Sequence, residues 1–204
     1  LTGSLDKTAR LETLPVPITG GIVINNNLPA TNSTQATLAL TWAGGSGTGV
    51  VRMRFSDDGA TWSAWETLSA TKTHTLLPSG DGYKTVRVQY LDKLNYRSDV
   101  FSDYIRLDTT TPTGSILINN NAPTTTSRAV TLNLSYADTG TGVVRMRFSN
   151  DGAHWTDWTY RKTVCAYTLP LATPGYQTVR VQYLDGANNY SPVYNDYIRL
   201  VVAP

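Results

Sequence analysis

Arginines alternate with apolar residues in three short segments of this sequence. In the first segment Arg52 and Arg54 alternate with Val51, Met53 and Phe55. Successive side chains of a strand point to opposite faces, so inward-facing apolar residues would place both arginines outward. A guanidinium binds carboxylate and phosphate groups through two parallel hydrogen bonds. The pattern therefore predicts an outer sheet face that binds an anionic partner.

The same alternation extends this expected face over two further segments and repeats in the second half of the chain. Neighbouring strands lie about 4.8 Å apart, which would crowd the guanidinium groups together. The expected face comprises Arg52, Arg54, Arg87, Gln89, Tyr104, Arg106 and Trp65, and then Arg145, Arg147, Arg180, Gln182, Tyr197, Arg199 and Trp158. The alternative is an ordinary solvated face, with arginines stacked on aromatic rings or paired to carboxylates such as Glu66.

The sequence contains two nearly identical copies of one unit. Thr48 to Trp65 returns 93 positions later as Thr141 to Trp158, and Gly82 to Asp92 returns as Gly175 to Asp185. Upstream the Ile-Asn-Asn-Asn motif at Ile24 returns after 94 positions. A period of this length is that of a domain rather than of a solenoid repeat.

Each copy has the sequence features of an all-β domain. Apolar residues alternate with polar ones over short runs, and the runs are separated by clusters of Gly, Asn, Asp and Ser. About seven short strands in about 90 residues predict an antiparallel β-sandwich of immunoglobulin or fibronectin III type. We expect an arm or the end of a preceding module at residues 1–17, sandwiches at 18–108 and 114–204, and an extended linker at 109–113.

Catalytic patterns are weak in both copies. His74 and His154 occupy non-equivalent positions, and neither has a metal-ligand spacing. The carboxylates that both copies share are Asp58 and Asp151, Asp92 and Asp185, and Asp103 and Asp196. Each lies near a turn or a strand end, where aspartate bonds its own backbone. The sequence therefore predicts a protein that is not an enzyme.

Two tryptophans stand three positions apart in each copy. Trp62 and Trp65, like Trp155 and Trp158, cannot share one face of a regular strand. We therefore expect one ring of each pair in the core and the other partly exposed. The exposed ring would cover the sheet edge or, alternatively, stack on a sugar.

We expect no bound cofactor, and the one alternative is calcium, for which the sequence offers candidate ligands at the junction of the two copies. Asp108 precedes the second copy, and Asp138 and Asp185 lie in loops of that copy. Calcium takes 6–8 oxygen ligands, and few carboxylates are available here, so the expected site is sparse. The single cysteine, Cys165, excludes an internal disulfide. We expect it to be a half-buried strand residue, and the alternative is an intermolecular disulfide.

Composition excludes two classes of partner. The net charge is +2 with 16% charged residues and no run of Lys or Arg, which argues against nucleic-acid binding. No stretch approaches the roughly 20 apolar residues of a membrane helix, so we expect no membrane insertion. The chain begins at Leu1 without a signal-peptide pattern, which suggests a processed product or a fragment.

The blocks VRMRFSNDGAHWTDW, YQTVRVQYLDGANNYS and YIRLDTTTP resemble tandem bacterial Ig-like, fibronectin III-like repeats of large cell-surface and secreted proteins. The resemblance spans about residues 18–204. The first copy departs from it at Lys93, where the second copy has Gly186.

This resemblance implies a non-enzymatic structural spacer at the bacterial cell surface or outside the cell. Its expected partners are other modules of the same surface protein or assembly. An acidic polysaccharide, lipopolysaccharide or acidic protein surface would bind the arginine face. Two alternatives are a carbohydrate- or polyanion-binding adhesion module and an accessory domain of a secreted enzyme.

Overall fold

The computed structural model describes residues 15–47, 49–78 and 80–202, and in them each copy contributes eight strands. The first copy contains β1 (Ile18–Ile24), β2 (Ala30–Thr31), β3 (Gln35–Gly44), β4 (Val50–Ser56), β5 (Glu66–Thr67), β6 (Thr71–Thr75), β7 (Gly82–Asp92) and β8 (Phe101–Leu107). The second contains β9 (Thr113–Ile118), β10 (Thr124–Thr125), β11 (Ala129–Ala137), β12 (Val143–Ser149), β13 (Thr159–Tyr160), β14 (Val164–Thr168), β15 (Gly175–Asp185) and β16 (Tyr194–Leu200).

Each copy forms a three-stranded and a five-stranded sheet. The strand orders are β1-β3-β6 and β2-β8-β7-β4-β5 in the first copy, and β9-β11-β14 and β10-β16-β15-β12-β13 in the second. The short strands β2 and β10 pair in parallel with β8 and β16, whereas the pairs of longer strands are antiparallel. The predicted sandwich is confirmed, and the arginine-bearing strands β4, β7 and β8 are neighbours in one sheet.

The core consists of the inward-facing apolar residues of both sheets. In the second copy it contains Ile116, Ile118, Val130, Leu132, Leu134, Val143, Met146, Phe148, Leu169, Val179, Val181, Tyr183 and Ile198. Burial alternates along β15 as the sequence predicted, because one face of the strand packs on the opposite sheet and the other faces solvent.

One expectation about the core is wrong. Val51 was expected to face inward, but it is 37% exposed, and so is its counterpart Val144 at 36%. The register of β4 against β7 shifts between Val50 and Arg52, which is a β-bulge. A bulge inserts one extra residue and interrupts the alternation. The strict period-two pattern therefore begins only at Arg52.

The Ile-Asn-Asn-Asn motif forms a left-handed turn. Asn25, Asn26 and Asn27 have φ values of 46°, 54° and 61°, and the second copy repeats this conformation. Asparagine tolerates this region better than most residues. The side-chain oxygen of Asn25 also accepts the N–H of Thr37 at 2.8 Å. The repeated motif therefore has a structural role.

A buried tyrosine ties the two sheets of each copy together. The Tyr183 hydroxyl donates to the Ser115 carbonyl at 2.8 Å, and Tyr90 donates to Gly21 at 3.1 Å. Burial raises the pKa of Tyr90 to about 12. A Cβ on Gly114 would lie 2.4 Å from the Tyr183 ring. Glycine is required there because the backbone passes directly over the ring.

The chain divides into two compact units that do not follow the sequence repeat. One contains the described residues up to Asn27 with Ala36–Leu76 and Thr85–Tyr104, and the other contains Leu28–Gln35, Leu77–Lys84 and the chain from Ile105 onward. The domain boundaries drawn from the sequence therefore stay predictions. Residues 1–14 of the expected arm lie outside the described residues.

Candidate functional site

Arg54 on β4 is held between two tryptophans. Its guanidinium carbon lies 4.6 Å from the ring centres of both Trp62 and Trp65. Its Nε and Nη2 donate to the Gln89 side-chain oxygen at 3.1 and 2.6 Å. Burial, and secondarily the charge of Arg97, lowers the pKa of Arg54. This arginine stabilises the sheet surface, and two of its three guanidinium nitrogens already donate hydrogen bonds within the first copy.

The second copy repeats this arrangement around Arg147. The guanidinium carbon lies 4.6 Å from the ring centres of Trp155 and Trp158, and Gln182 accepts from it at 3.1 and 2.7 Å. The expectation of one core ring and one partly exposed ring per pair is wrong for the core ring, because all four rings are partly exposed. The tryptophans lie in loops after β4 and β12, where strand alternation does not apply.

Other arginines of the expected face also bind backbone carbonyls. Arg87 donates to the Asp57 carbonyl at 2.8 Å, and Arg180 donates to the carbonyl of Asn150. Arg106 donates to the Gly140 carbonyl at 2.7 Å. For these residues the structure agrees with the solvated-face alternative, in which the arginines have intramolecular partners.

The rest of the expected face is open to solvent. Arg52, Arg145 and Arg199 are exposed, and Tyr104 and Tyr197 are 66% and 65% exposed. A face that combines exposed guanidinium groups with aromatic rings can bind an anion that also carries an apolar surface.

Arg52 and Trp65 line an open cleft of about 580 Å³. All of its lining residues belong to the first compact unit. The others are Val51, Leu91, Asp92, Lys93, Asn95 and Arg97. Its volume falls in the range of small-molecule sites, about 300–1,000 Å³. Three of its lining side chains are cationic and exposed, so the cleft favours an anionic ligand.

Lys93 and Arg97 were missing from the expected face. Both lie in the loop after β7, which the Asp92 carboxylate organises by accepting the N–H groups of Leu94 and Tyr96 at 2.9 and 2.8 Å. The loop returns so that Arg97 pairs with Leu91. The sequence offered one signal for these two residues, since Lys93 stands where the second copy has a glycine, Gly186.

The three calcium candidates lie together in the second compact unit. Carboxylate oxygens of Asp108, Asp138 and Asp185 all lie within 4.8 Å of one another. Two of the residues are almost fully buried, with Asp108 at 0% and Asp185 at 1% exposure. Calcium–oxygen bonds of about 2.3–2.6 Å place opposite ligands about 5 Å apart, so the spacing fits one ion.

These carboxylates already accept hydrogen bonds from the protein. Thr141 donates its N–H and hydroxyl to Asp108, and the N–H groups of Ala187 and Asn189 donate to Asp185. Burial is the main cause that raises the pKa of Asp185, and the charge of Asp108 adds to it. The Oδ1 atom of Asp138 is buried without a hydrogen-bond partner among the described residues. The calcium site stays a prediction, although the residues fit it.

The carboxylates shared by both copies have structural partners. Asp58 accepts from the N–H groups of Ala60 and Thr61 at 2.8 and 2.7 Å, as the turn-capping interpretation predicted. Asp103 accepts the N–H of Ile24 at 2.8 Å, and Asp196 accepts that of Ile118 at 2.7 Å. These bonds stabilise turns and strand ends, which gives each aspartate a role that requires no catalysis.

Cys165 lies half-buried on β14, as expected, and is a free thiol. Burial is the main cause that raises its pKa, opposed by the charge of Lys162. A raised pKa leaves less of the nucleophilic thiolate at neutral pH.

No helix in the described part of the chain has the length and apolar character to cross a membrane.

Comparison with solved structures identifies the fold. The fibronectin(III)-like modules of Clostridium thermocellum CbhA match with a TM-score of 0.53 at 15% identity, over 89% of this chain and 93% of that one. The chain therefore has the fold of a tandem pair of fibronectin III-like domains. The D00-D0 domain of intimin matches at a TM-score of 0.38 and 14% identity, over 90% of this chain and 100% of that one.

Two fibronectin type-III domains of chicken tenascin match at a TM-score of 0.34 with 10% identity, over 91% of this chain and 99% of that one. Neither a protein-family model nor a curated protein matches the sequence. At 15% identity the match to the CbhA modules establishes the fibronectin III-like fold alone and leaves the function to be argued from the residues of this chain.

Proposed function

We propose that this tandem fibronectin III-like pair is a non-enzymatic structural module of a bacterial surface or secreted protein that binds an acidic polysaccharide. The observation that supports this proposal is the combination of exposed arginines and exposed tyrosines on the larger sheet of each copy. Arg52, Arg145 and Arg199 supply positive charge, and Tyr104 and Tyr197 supply flat rings. Acidic polysaccharides offer both carboxylate groups and the apolar faces of sugar rings.

A structural role is supported by how the sheets use their polar side chains. Arginines that could have served a ligand instead bind tryptophans and backbone carbonyls within each copy. The shared aspartates cap turns and strand ends. Side chains that hold a surface rigid suit a module that separates or presents other parts of a surface protein.

Binding to immobilised polysaccharides tests this proposal. We expect the chain to bind polygalacturonate and alginate and not to bind neutral dextran. We also expect it to elute as salt is raised, because the Debye length falls from about 10 Å at 0.1 M to about 3 Å at 1 M. Equal retention on neutral and acidic matrices, or retention on neither, would contradict binding to acidic polysaccharide and leave only the structural part of the proposal.

A further inference from the structure

The loop after β7 makes the two copies chemically different. Lys93 and Arg97 of the first copy correspond to Gly186 and Tyr190 of the second. Position 186 has little room for a side chain, since a Cβ there would lie 3.1 Å from Thr141. The second copy therefore lacks two of the three cations that line the cleft in the first.

The cations of the first cleft are available to a ligand. Among the described residues, neither an ion pair nor a side-chain hydrogen bond engages Arg52, Lys93 or Arg97. The carboxylate that borders the cleft, Asp92, is 1% exposed and accepts backbone N–H groups, including that of Ser46 at 2.7 Å. It holds the loop in place and has no salt bridge to these cations.

The β-bulge brings two consecutive residues to the same cleft. The register shift between Val50 and Arg52 exposes Val51, and both Val51 and Arg52 line the cleft. Bulges commonly redirect a side chain beside a functional site. Trp65, partly exposed, adds a flat apolar surface next to these cations, and the neighbouring Arg54 fixes its ring.

The corresponding position of the second copy is occupied by aromatic contacts. Tyr190 packs against Trp158 with ring centres 5.8 Å apart. The Arg145 guanidinium lies 5.9 Å from the Tyr160 ring. Tyrosine stands where the first copy has a cation, and it covers the tryptophan that the first copy leaves beside its cleft.

We propose that the cleft of the first copy binds a uronic acid residue of an acidic polysaccharide and that the second copy has no such uronate site at the corresponding position. The guanidinium groups of Arg52 and Arg97 bind the carboxylate, since arginine matches it with two parallel hydrogen bonds. Lys93 adds charge, and the Trp65 ring lies against the apolar face of the sugar. This inference rests on the proposed function and assigns it to one site.

A pair of charge-matched variants tests the assignment. One replaces Lys93 and Arg97 of the cleft with Gln, and the control replaces Arg161 and Lys162, which lie outside the expected face, with Gln. Both remove the same charge from exposed positions of one copy. With oligogalacturonides in titration calorimetry, we expect the first variant to bind at least about tenfold more weakly and the control to change less than about twofold. Thermal unfolding verifies that both variants are folded.

Other outcomes separate this inference from the proposed function. Equal weakening by both variants, or none by the first, would overturn the cleft while polysaccharide binding stands. A wild-type chain that binds no acidic polysaccharide would overturn both. Methyl-esterified oligogalacturonides should not bind, and equal binding would exclude the carboxylate. Single-stranded DNA should not compete, and equal competition would assign the cleft to phosphodiesters instead of uronates.

Discussion

The guanidinium carbon of Arg54 lies 4.6 Å from the ring centre of Trp65, and that ring lines the cationic cleft of the first copy. The arginine thereby connects the sheet to the proposed binding site. Its own hydrogen bonds go to Gln89, so it acts on a ligand only by fixing the ring. Arg54, with its structural role, and Arg52 of the proposed site therefore lie two positions apart on β4.

Replacing Arg54 with Gln should destabilise the first copy by about 1–2 kcal/mol. The change removes contacts with two indole rings and two hydrogen bonds to Gln89, and because these contacts share one partly exposed side chain, their contributions of about 0.5–1 kcal/mol each are not additive. Arg52→Gln, on the same strand but exposed, is the control and should change stability by less than about 0.5 kcal/mol. Urea unfolding measures both. Equal effects would contradict the structural role of Arg54.

Much of the fold followed from the sequence because its signals are local. Alternation identified the strands, and turn residues separated them. Residues of β7 such as Val86 and Val88 are buried as predicted, since a strand between two neighbours has a regular register. The prediction that Val51 faces inward was wrong because the bulge depends on how β4 pairs with β7, and the local sequence pattern does not indicate that pairing.

The candidate sites were less predictable for the same physical reason. Arg54 and Arg87 were expected on a face that binds an anionic partner, yet they contact protein groups in loops whose paths the sequence did not indicate. Lys93 and Arg97 were missed because the loop folds back to place them beside Arg52. The aspartate cluster was anticipated, since its members flank strand ends that a sandwich brings together.

Gly114→Ala should destabilise the second copy by about 2 kcal/mol. The new methyl group would lie 2.4 Å from the Tyr183 ring and 2.5 Å from the Ser135 carbonyl, so the ring or the strand must move. Gly21→Ala is the control, because the second copy carries Ser115 at that position. It should change stability by less than about 1 kcal/mol. If thermal unfolding shows that both substitutions have the same effect on stability, the close approach of the Gly114 backbone to the Tyr183 ring is contradicted.

Stability should depend on pH through the aspartate cluster. The pKa of Asp185 is raised in the folded state, so the folded chain binds more protons than the unfolded chain between the two pKa values. Its contribution therefore weakens as pH rises from about 4 through the folded pKa.

Asp138→Asn removes one charge and places an amide where Oδ1 has no described partner. Without calcium it should stabilise the chain by about 1 kcal/mol at pH 7. A loss of stability in chelator would refute this.

Calcium should raise the midpoint of thermal unfolding of the wild-type chain at neutral pH. An ion bound only by the folded state stabilises it by mass action, and the three carboxylates have a spacing that fits one ion. Asp138→Asn should lose most of this shift, whereas Asp99→Asn, an exposed aspartate outside the cluster, should keep it. A wild-type midpoint that is the same in calcium and in chelator would contradict calcium binding at this cluster.

The turn after β4 should lose stability in acid. Hydrogen bonds from the backbone of Thr61 and Ala60 hold the pKa of Asp58 below its usual range. A lowered folded pKa stabilises the chain above the unfolded value of about 3.9, and this contribution fades as pH falls through the folded pKa. Asp58→Ala should therefore lower the unfolding midpoint at pH 7 and differ less from wild type near pH 2. Asp99→Ala should have little effect at either pH. A difference for Asp58→Ala that persists undiminished in acid would show that its carboxylate charge does not stabilise the turn.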